Sequence, residues 1–184
     1  MTGRKIFVIG MFKTGITSIS DALRMMGFQI FKGPWWEEKE IPIDNWNEKH
    51  INWTRYKFQI ENKCKNFDAF SDYPFMFIYP QLYMWFSESY FIYTERCVRD
   101  VIKSTMNQMK MSMSNLSMVN KIKQRYEYHQ QEVYSFFNDK NNFLVISLKD
   151  SDKVKWLKLN KFLYFSSNKC QNFPFPHSNK GKYK

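Results

Sequence analysis

Gly10 and Gly15 bracket four residues that include Lys13, and two hydroxyl residues, Thr17 and Ser18, follow closely. Glycines at that spacing let a backbone wrap around oxygen atoms. Exposed amides, a lysine and hydroxyls then form a receptor for phosphate. The frame G-x-x-x-x-G-x-[ST] is that of a nucleotide-hydrolysing phosphate loop except at one place. Ile16 stands where the lysine that reaches the β and γ phosphates belongs. No second acidic motif of the magnesium-binding kind ends an apolar strand; the run "YFIYTER" ends in Glu95 and Arg96, an imperfect match. Lys13, inside the loop, can instead neutralise a bridging oxygen on a departing phosphate, which is electrostatic transition-state stabilisation without metal. These residues favour transfer of a group from a nucleotide over hydrolysis of the nucleotide.

Such a transfer gains from a base that takes the acceptor's proton. Asp72, two residues before Pro74, is the first candidate, with Asp68 and His129 in reserve. Each has a plainer role beside the chemical one. Asp72 can form a turn or cap a helix. His129 can be a hydrogen-bonded packing residue near Tyr126 and Val133, and Arg96 a surface ion-pair partner, although its place at a strand end favours a ligand. The methionines 106, 109, 111 and 113 suit adaptable packing or a flexible acceptor wall better than a metal site. Trp35, Trp36, Trp46 and Trp53 are read as core or lid. Cys64, Cys97 and Cys170 are widely spaced with no histidine at zinc spacing, so they are read as reduced thiols in a cytoplasmic setting.

Positioning these groups requires a strand before the loop and a helix after it. Residues 5–9 are a short apolar run that suits a buried parallel strand. The following helix begins at Thr17 or Ser18, carries Ile19, Ala22, Leu23 and Met26 at helical spacing, and stops at Gly27. Further strands are predicted at 66–75, 90–96 and 142–148, and further helices at 98–109, 119–137 and 153–163. Residues 32–52 read as loop and short helix over a site entrance, 111–117 as a mobile loop, and the chain from about 165 as an irregular tail. Strands alternating with helices predict one α/β domain spanning 1–184, three-layered, with a mainly parallel sheet and its ligand at the carboxyl ends of the strands.

The formal charge of +11 favours anionic partners: nucleic acid, glycans, membrane surfaces or phosphorylated small molecules. The apolar run at 75–86 is interrupted by Pro80 and is too short to span a bilayer. Neither export nor membrane insertion is expected.

"GMFKTGITSI", residues 10–19, resembles the 5′-phosphosulfate loop of the P-loop sulfotransferases. Lys13, Thr14, Gly15, Thr17 and Ser18 match, while Phe12 replaces the usual proline and Ile16 a usual threonine. "FDAFSDYPF" resembles the Asp-Ala-x-x-Asp-x-Pro segment of the compact branch of that family. "FIYTERCVRDVIKS" resembles its 3′-phosphate strand and helix, with Arg96 and Ser104 in place and Cys97 and Val98 where Asp and Pro are usual. The segments that close the domain and its "FPFPHSNK" exit follow in the expected order.

The resemblance implies 3′-phosphoadenosine 5′-phosphosulfate as co-substrate and no metal. Phe12, Lys13, Thr14, Gly15, Ile16, Thr17 and Ser18 would hold its 5′ side, and Arg96 and Ser104 its 3′-phosphate. Lys180 and Gly181 would supply a late basic-glycine contact. Lys13 and Asp72 would be the catalytic pair. The implied acceptor is a small molecule, lipid, glycan or protein tyrosine, recognised by segments 32–62 and 109–117; no nucleic-acid partner is expected, and the oligomeric state is open. Two other readings stand beside this one. The first is a small nucleotide or nucleoside kinase. The second is a non-catalytic binder, either a degenerate member that keeps the nucleotide site or a basic nucleic-acid protein.

Overall fold

One phenylalanine on each of five strands forms an unbroken row across the sheet of this protein. The computed structural model describes residues 4–33, 53–164 and 173–178. The strands β1 (Ile6–Val8), β2 (Ile30–Lys32), β3 (Ala69–Ser71), β4 (Tyr90–Glu95) and β5 (Phe143–Ser147) are all parallel, in the order β2-β3-β1-β4-β5. Their register pairs Phe31 with Phe70, Phe70 with Phe7, Phe7 with Phe91, and Phe91 with Phe143. Side chains alternate between faces along a strand, so the residues flanking each phenylalanine turn to the opposite layer.

Among the described residues six helices cover the two faces: α1 (Ile16–Met25), α2 (Trp53–Lys63), α3 (Tyr79–Trp85), α4 (Val98–Gln108), α5 (Leu116–Phe137) and α6 (Asp152–Phe162). The phenylalanine face meets Ile60 of α2, Leu82 of α3, and Val133 and Phe137 of α5. Phe137 lies with its ring 4.4 Å from that of Phe143, while Phe7 sits 5.3 Å from Phe70 and 5.5 Å from Phe91. On the other face Ile6, Val8 and Ile92 pack against Ile19 and Leu23 of α1, and Trp156 and Leu159 of α6. This is the three-layer α/β architecture that alternation predicts, with every strand parallel. Burying each fully enclosed phenylalanine contributes on the order of 2–3 kcal/mol.

Four local features differ from the sequence reading. β2 is a strand of three residues that the sequence reading does not anticipate, and Lys32, read as the start of a loop, is its last residue. Residues 53–63, inside the supposed acceptor loop, are helix α2. Pro80 does not interrupt structure; it occupies the first turn of α3, where a missing N–H costs nothing. α5 begins at Leu116, three residues before the expected start, because the Asn115 side chain accepts from the amide of Met118 at 3.1 Å and caps it.

The C-terminal stretch 173–178 has no regular structure but is fastened to the domain. Phe175 is buried with its ring 4.9 Å from that of Trp156, its amide donates to Asp152, and the Trp156 indole donates to the Phe173 carbonyl. Among the described residues, no helix is long and apolar enough to cross a membrane.

Candidate functional site

In this strand order the chain leaves β1 toward β3 and β2, then returns to β4 on the other side of β1. The switch point therefore lies between the carboxyl ends of β1 and β4, where open α/β sheets leave a crevice. Two predicted ligand residues meet there. Lys13 follows β1, Arg96 follows β4, and the Arg96 guanidinium donates to the Lys13 carbonyl at 2.9 Å. The crevice is a cavity of about 490 Å³ whose wall includes Lys13, Thr17, Ser18, Asp72, Arg96 and Ser104.

The loop's geometry follows from its residue types. Gly10 lies so close to β4 that an added Cβ would stand 1.8 Å from the Thr94 hydroxyl oxygen. Gly15 precedes α1 with φ of 100°, a conformation glycine adopts without strain, and Leu148 lies against it. No side chain caps α1 and its first turn holds no acidic residue. The positive end of the helix, with the amides that find no acceptor inside it, is thus turned to the cavity beside Thr17 and Ser18. Ile16, where a hydrolase would place lysine, is 5% exposed and packs into the core beneath α1.

Lys13 and Asp72 both have left-handed backbone, φ 67° and 75°. Such a conformation is uncommon for residues other than glycine and is concentrated at functional sites. Asp72 accepts from the amide of Tyr73 at 3.1 Å and sits immediately after β3. Across the cavity, the Lys32 ammonium donates to the Thr17 hydroxyl at 3.1 Å.

Phe12, Lys13, Gly15, Ile16, Thr17, Ser18, Asp72, Arg96 and Ser104 all line the one cavity. Thr14 does not join them. Its side chain is fully buried beneath the loop, where the hydroxyl donates to the Met11 carbonyl and meets that of Thr94, and its amide is bonded to Met11 as well. Thr14 therefore shapes the loop rather than touching a ligand. Lys180 and Gly181, with Trp35, Trp36, Trp46 and Cys170, lie outside the described residues.

Both reserve bases lie elsewhere. Asp68 precedes β3 at the opposite end of the strand and accepts from the amide of Gln29 at 2.8 Å. His129 is buried on α5, where Nε2 donates to the Met76 carbonyl at 2.7 Å and the ring lies among Phe77, Tyr79 and Tyr93. Burial pushes the His129 imidazole down to about 4. Glu95 is turned away toward α5, its carboxylate accepting from Gln130 and Tyr134, each at 2.9 Å.

The cavity also contains residues that sequence reasoning missed: Lys32, Gln108, Leu148, His177 and Ser178. The Ser178 amide donates to Ser18 Oγ at 3.2 Å and its hydroxyl to Asp21, so the C-terminal stretch forms one wall. Lys32 had a faint signal, since the apolar pair Ile30 and Phe31 is followed by lysine and glycine much as Ile9 is followed by Gly10.

Three cations (Lys13, Lys32 and Arg96), the hydroxyls of Thr17, Ser18, Ser104 and Ser178, and one carboxylate, Asp72, thus line one cavity at the carboxyl edge of a parallel α/β sheet. A family profile described as Sulfotransferase domain matches residues 5–122, from the first strand into α5. The chain belongs to that sulfotransferase family. No curated protein matches the chain.

Proposed function

We propose that this sulfotransferase takes its sulfuryl group from 3′-phosphoadenosine 5′-phosphosulfate and passes it to a hydroxyl or amine of a small-molecule, lipid or glycan acceptor. The observation that carries the reading is the meeting of Lys13 and Arg96 at the sheet's switch point. That places two cations from two different strand ends on one cavity, as a ligand with phosphate at both ends requires. The donor set fits such a ligand: an ammonium, a guanidinium and three hydroxyls, from Thr17, Ser18 and Ser104, surround one cavity.

The donor supplies an activated sulfur–oxygen bond, so the protein's task is placement and charge stabilisation. Lys13 stands where the bridging oxygen gains charge as its bond to sulfur breaks. The α1 amides with Thr17 and Ser18 hold the 5′-phosphate, and Arg96 with Ser104 holds the 3′-phosphate. Asp72 takes the acceptor proton as the new bond to sulfur forms. A cytoplasmic location belongs to the same proposal.

Calorimetric titration with 3′-phosphoadenosine 5′-phosphate, the product nucleotide, against ATP with magnesium tests it. Wild type is expected to prefer the 3′-phosphorylated nucleotide, and Lys13→Ala to weaken it by about tenfold or more, the cost of one charge-assisted contact. Turnover in an acceptor screen would fall by roughly 100- to 1,000-fold in the same variant. Preference for ATP with magnesium would sink the proposal in favour of a kinase. Nucleotide binding with no transfer to any acceptor would identify a degenerate member.

A further inference from the structure

A helical hairpin stands out past the carboxyl edge of the sheet, and the domain core does not cover its tip. α5 runs antiparallel to β4. Its last residue, Phe137, packs on Phe91 near the amino end of that strand, while Tyr126 exchanges hydrogen bonds with the Arg96 backbone just beyond the other end. The ten residues of α5 that precede Tyr126 include none that is buried. At 1.5 Å per residue they extend about 15 Å beyond the strand. α4 packs beside this extension, and the turn between the helices is held by the Asn115 cap and a 2.8 Å hydrogen bond between the Ser112 and Ser114 hydroxyls.

This tip exposes three apolar side chains beside Lys110, Ser112, Ser114 and Asn115. Met109 and Met113 are each 46% exposed and Leu116 is 68% exposed. Between Asp100 and Glu127 the hairpin has no acidic residue: residues 101–126 contain Lys103, Lys110, Lys121 and Lys123, with Arg125 over the Phe77 ring, and no Asp or Glu. Among the described residues, Lys103, Lys110 and Lys121 have no acidic partner, and Lys123 has only an exposed contact of 4.0 Å with Glu127.

We infer that the α4–α5 hairpin docks on an anionic lipid surface, with Met109, Met113 and Leu116 entering the headgroup–acyl boundary and the lysines facing lipid phosphates. Two physical arguments favour lipid over other anionic partners. The apolar element is a convex knuckle, which a deformable bilayer surface accepts and a folded partner accepts only through a matching groove. The tip also has no aromatic ring on which a nucleic-acid base could stack. Flexible methionine side chains suit an irregular apolar medium. The docking does not depend on which nucleotide the cavity binds. It would nevertheless bring the cavity to the lipid, because Gln108, one residue before Met109, lines its wall.

The test is co-sedimentation of the full chain with phosphatidylcholine vesicles, with and without one third phosphatidylserine, alongside size-exclusion chromatography of the protein alone. The expected result is monomeric protein that binds the phosphatidylserine vesicles and is released by high salt. The double substitution Met113→Glu and Leu116→Glu should weaken binding on the order of tenfold or more. A second variant, Lys103→Glu with Lys110→Glu and Lys121→Glu, should do the same. Leu157→Glu, at an exposed position on α6, should bind as wild type does. Circular dichroism confirms that each variant is folded. No binding, equal binding to neutral vesicles, or binding untouched by either tip variant overturns the inference. So does a wild-type dimer that the Met113→Glu and Leu116→Glu variant converts to monomer, which would assign the tip to a second copy of the chain. Binding of single-stranded RNA in preference to the vesicles would overturn it as well.

Discussion

A buried imidazole that carries no charge makes the stability of the domain depend on pH. His129 lies among Phe77, Tyr79 and Tyr93, and burial lowers its titration from 6.5 to about 4, with the charge of Arg125 acting the same way and the hydrogen bond to Met76 opposing. Between those values the unfolded chain binds a proton that the folded chain refuses. The stabilisation from a neutral His129 is therefore complete above about pH 6.5 and is lost as pH falls toward 4, by on the order of 3 kcal/mol in all. Urea denaturation at pH 7.5 and pH 5.5 should show a loss of about 1.4 kcal/mol attributable to this residue. His129→Leu should flatten the dependence by that amount, and equal slopes in the two proteins would show that His129 is not the group responsible. At this scale the sequence disclosed which side chains line one cavity where a loop motif sets their spacing, Lys13, Thr17 and Ser18, and where the family resemblance adds Arg96 after β4 and Ser104 within α4. It did not disclose the direction of Thr14, because residue spacing in a tight loop does not determine which side chain turns inward. The chemistry of His129 was likewise hidden, since its aromatic surroundings come from two separate segments, 77–79 and β4.

Elements were legible where apolar periodicity runs long and illegible where a neighbour supplies the pattern. β4 announces itself, whereas α6 departs from its expected apolar face: it buries Lys155 and Asn160 with Trp156 and Leu159 and leaves Val154 and Leu157 exposed. β2, at three residues, is too short for a period to register, and it is a strand because β3 offers it a ladder. α2 buries Tyr56 and Ile60 four residues apart, a line that Cys64 continues just past its end, while Phe58 is exposed and blurs the pattern. Pro80 was read as an interruption because its place within a helix decides its effect: in the first turn it starts the helix, in the interior it breaks it. The C-terminal stretch has no periodicity, yet it supplies a wall of the site because Phe175 is anchored beside Trp156 and because Asp152 and Ser18 receive its amides. Phe175→Ala should cost about 3–4 kcal/mol in urea denaturation, as expected for emptying a buried aromatic site. Phe173→Ala, at a 58% exposed position, should cost under about 0.5 kcal/mol. If the stretch is a working wall, Phe175→Ala will also weaken nucleotide binding at a temperature where the variant is fully folded. Unchanged affinity would limit the stretch to a structural role.

For the whole molecule, topology and charge act together. The strand order was not readable from the sequence, because the sequence order of five parallel strands admits many spatial orders and only packing of the helices selects one. Once selected, it places the switch point between β1 and β4 and gathers residues 13, 72, 96 and 104 from three separate connections, 96 and 104 sharing the one after β4. The chain has a net charge of +11, and the cavity is lined by Lys13, Lys32 and Arg96 against one carboxylate, Asp72. An excess of positive charge of that size draws a multiply charged nucleotide inward over distances comparable with the Debye length, about 10 Å at 0.1 M salt and 3 Å at 1 M. The association rate of 3′-phosphoadenosine 5′-phosphate, followed by stopped flow, should therefore fall by roughly tenfold or more between low salt and half-molar sodium chloride. The dissociation rate should change far less if, as proposed, direct hydrogen bonds from Arg96, Ser104 and the α1 amides hold the bound ligand. A salt effect confined to dissociation would mean that only short-range contacts matter and that the basic surface serves other partners, the lipid-facing hairpin foremost among them.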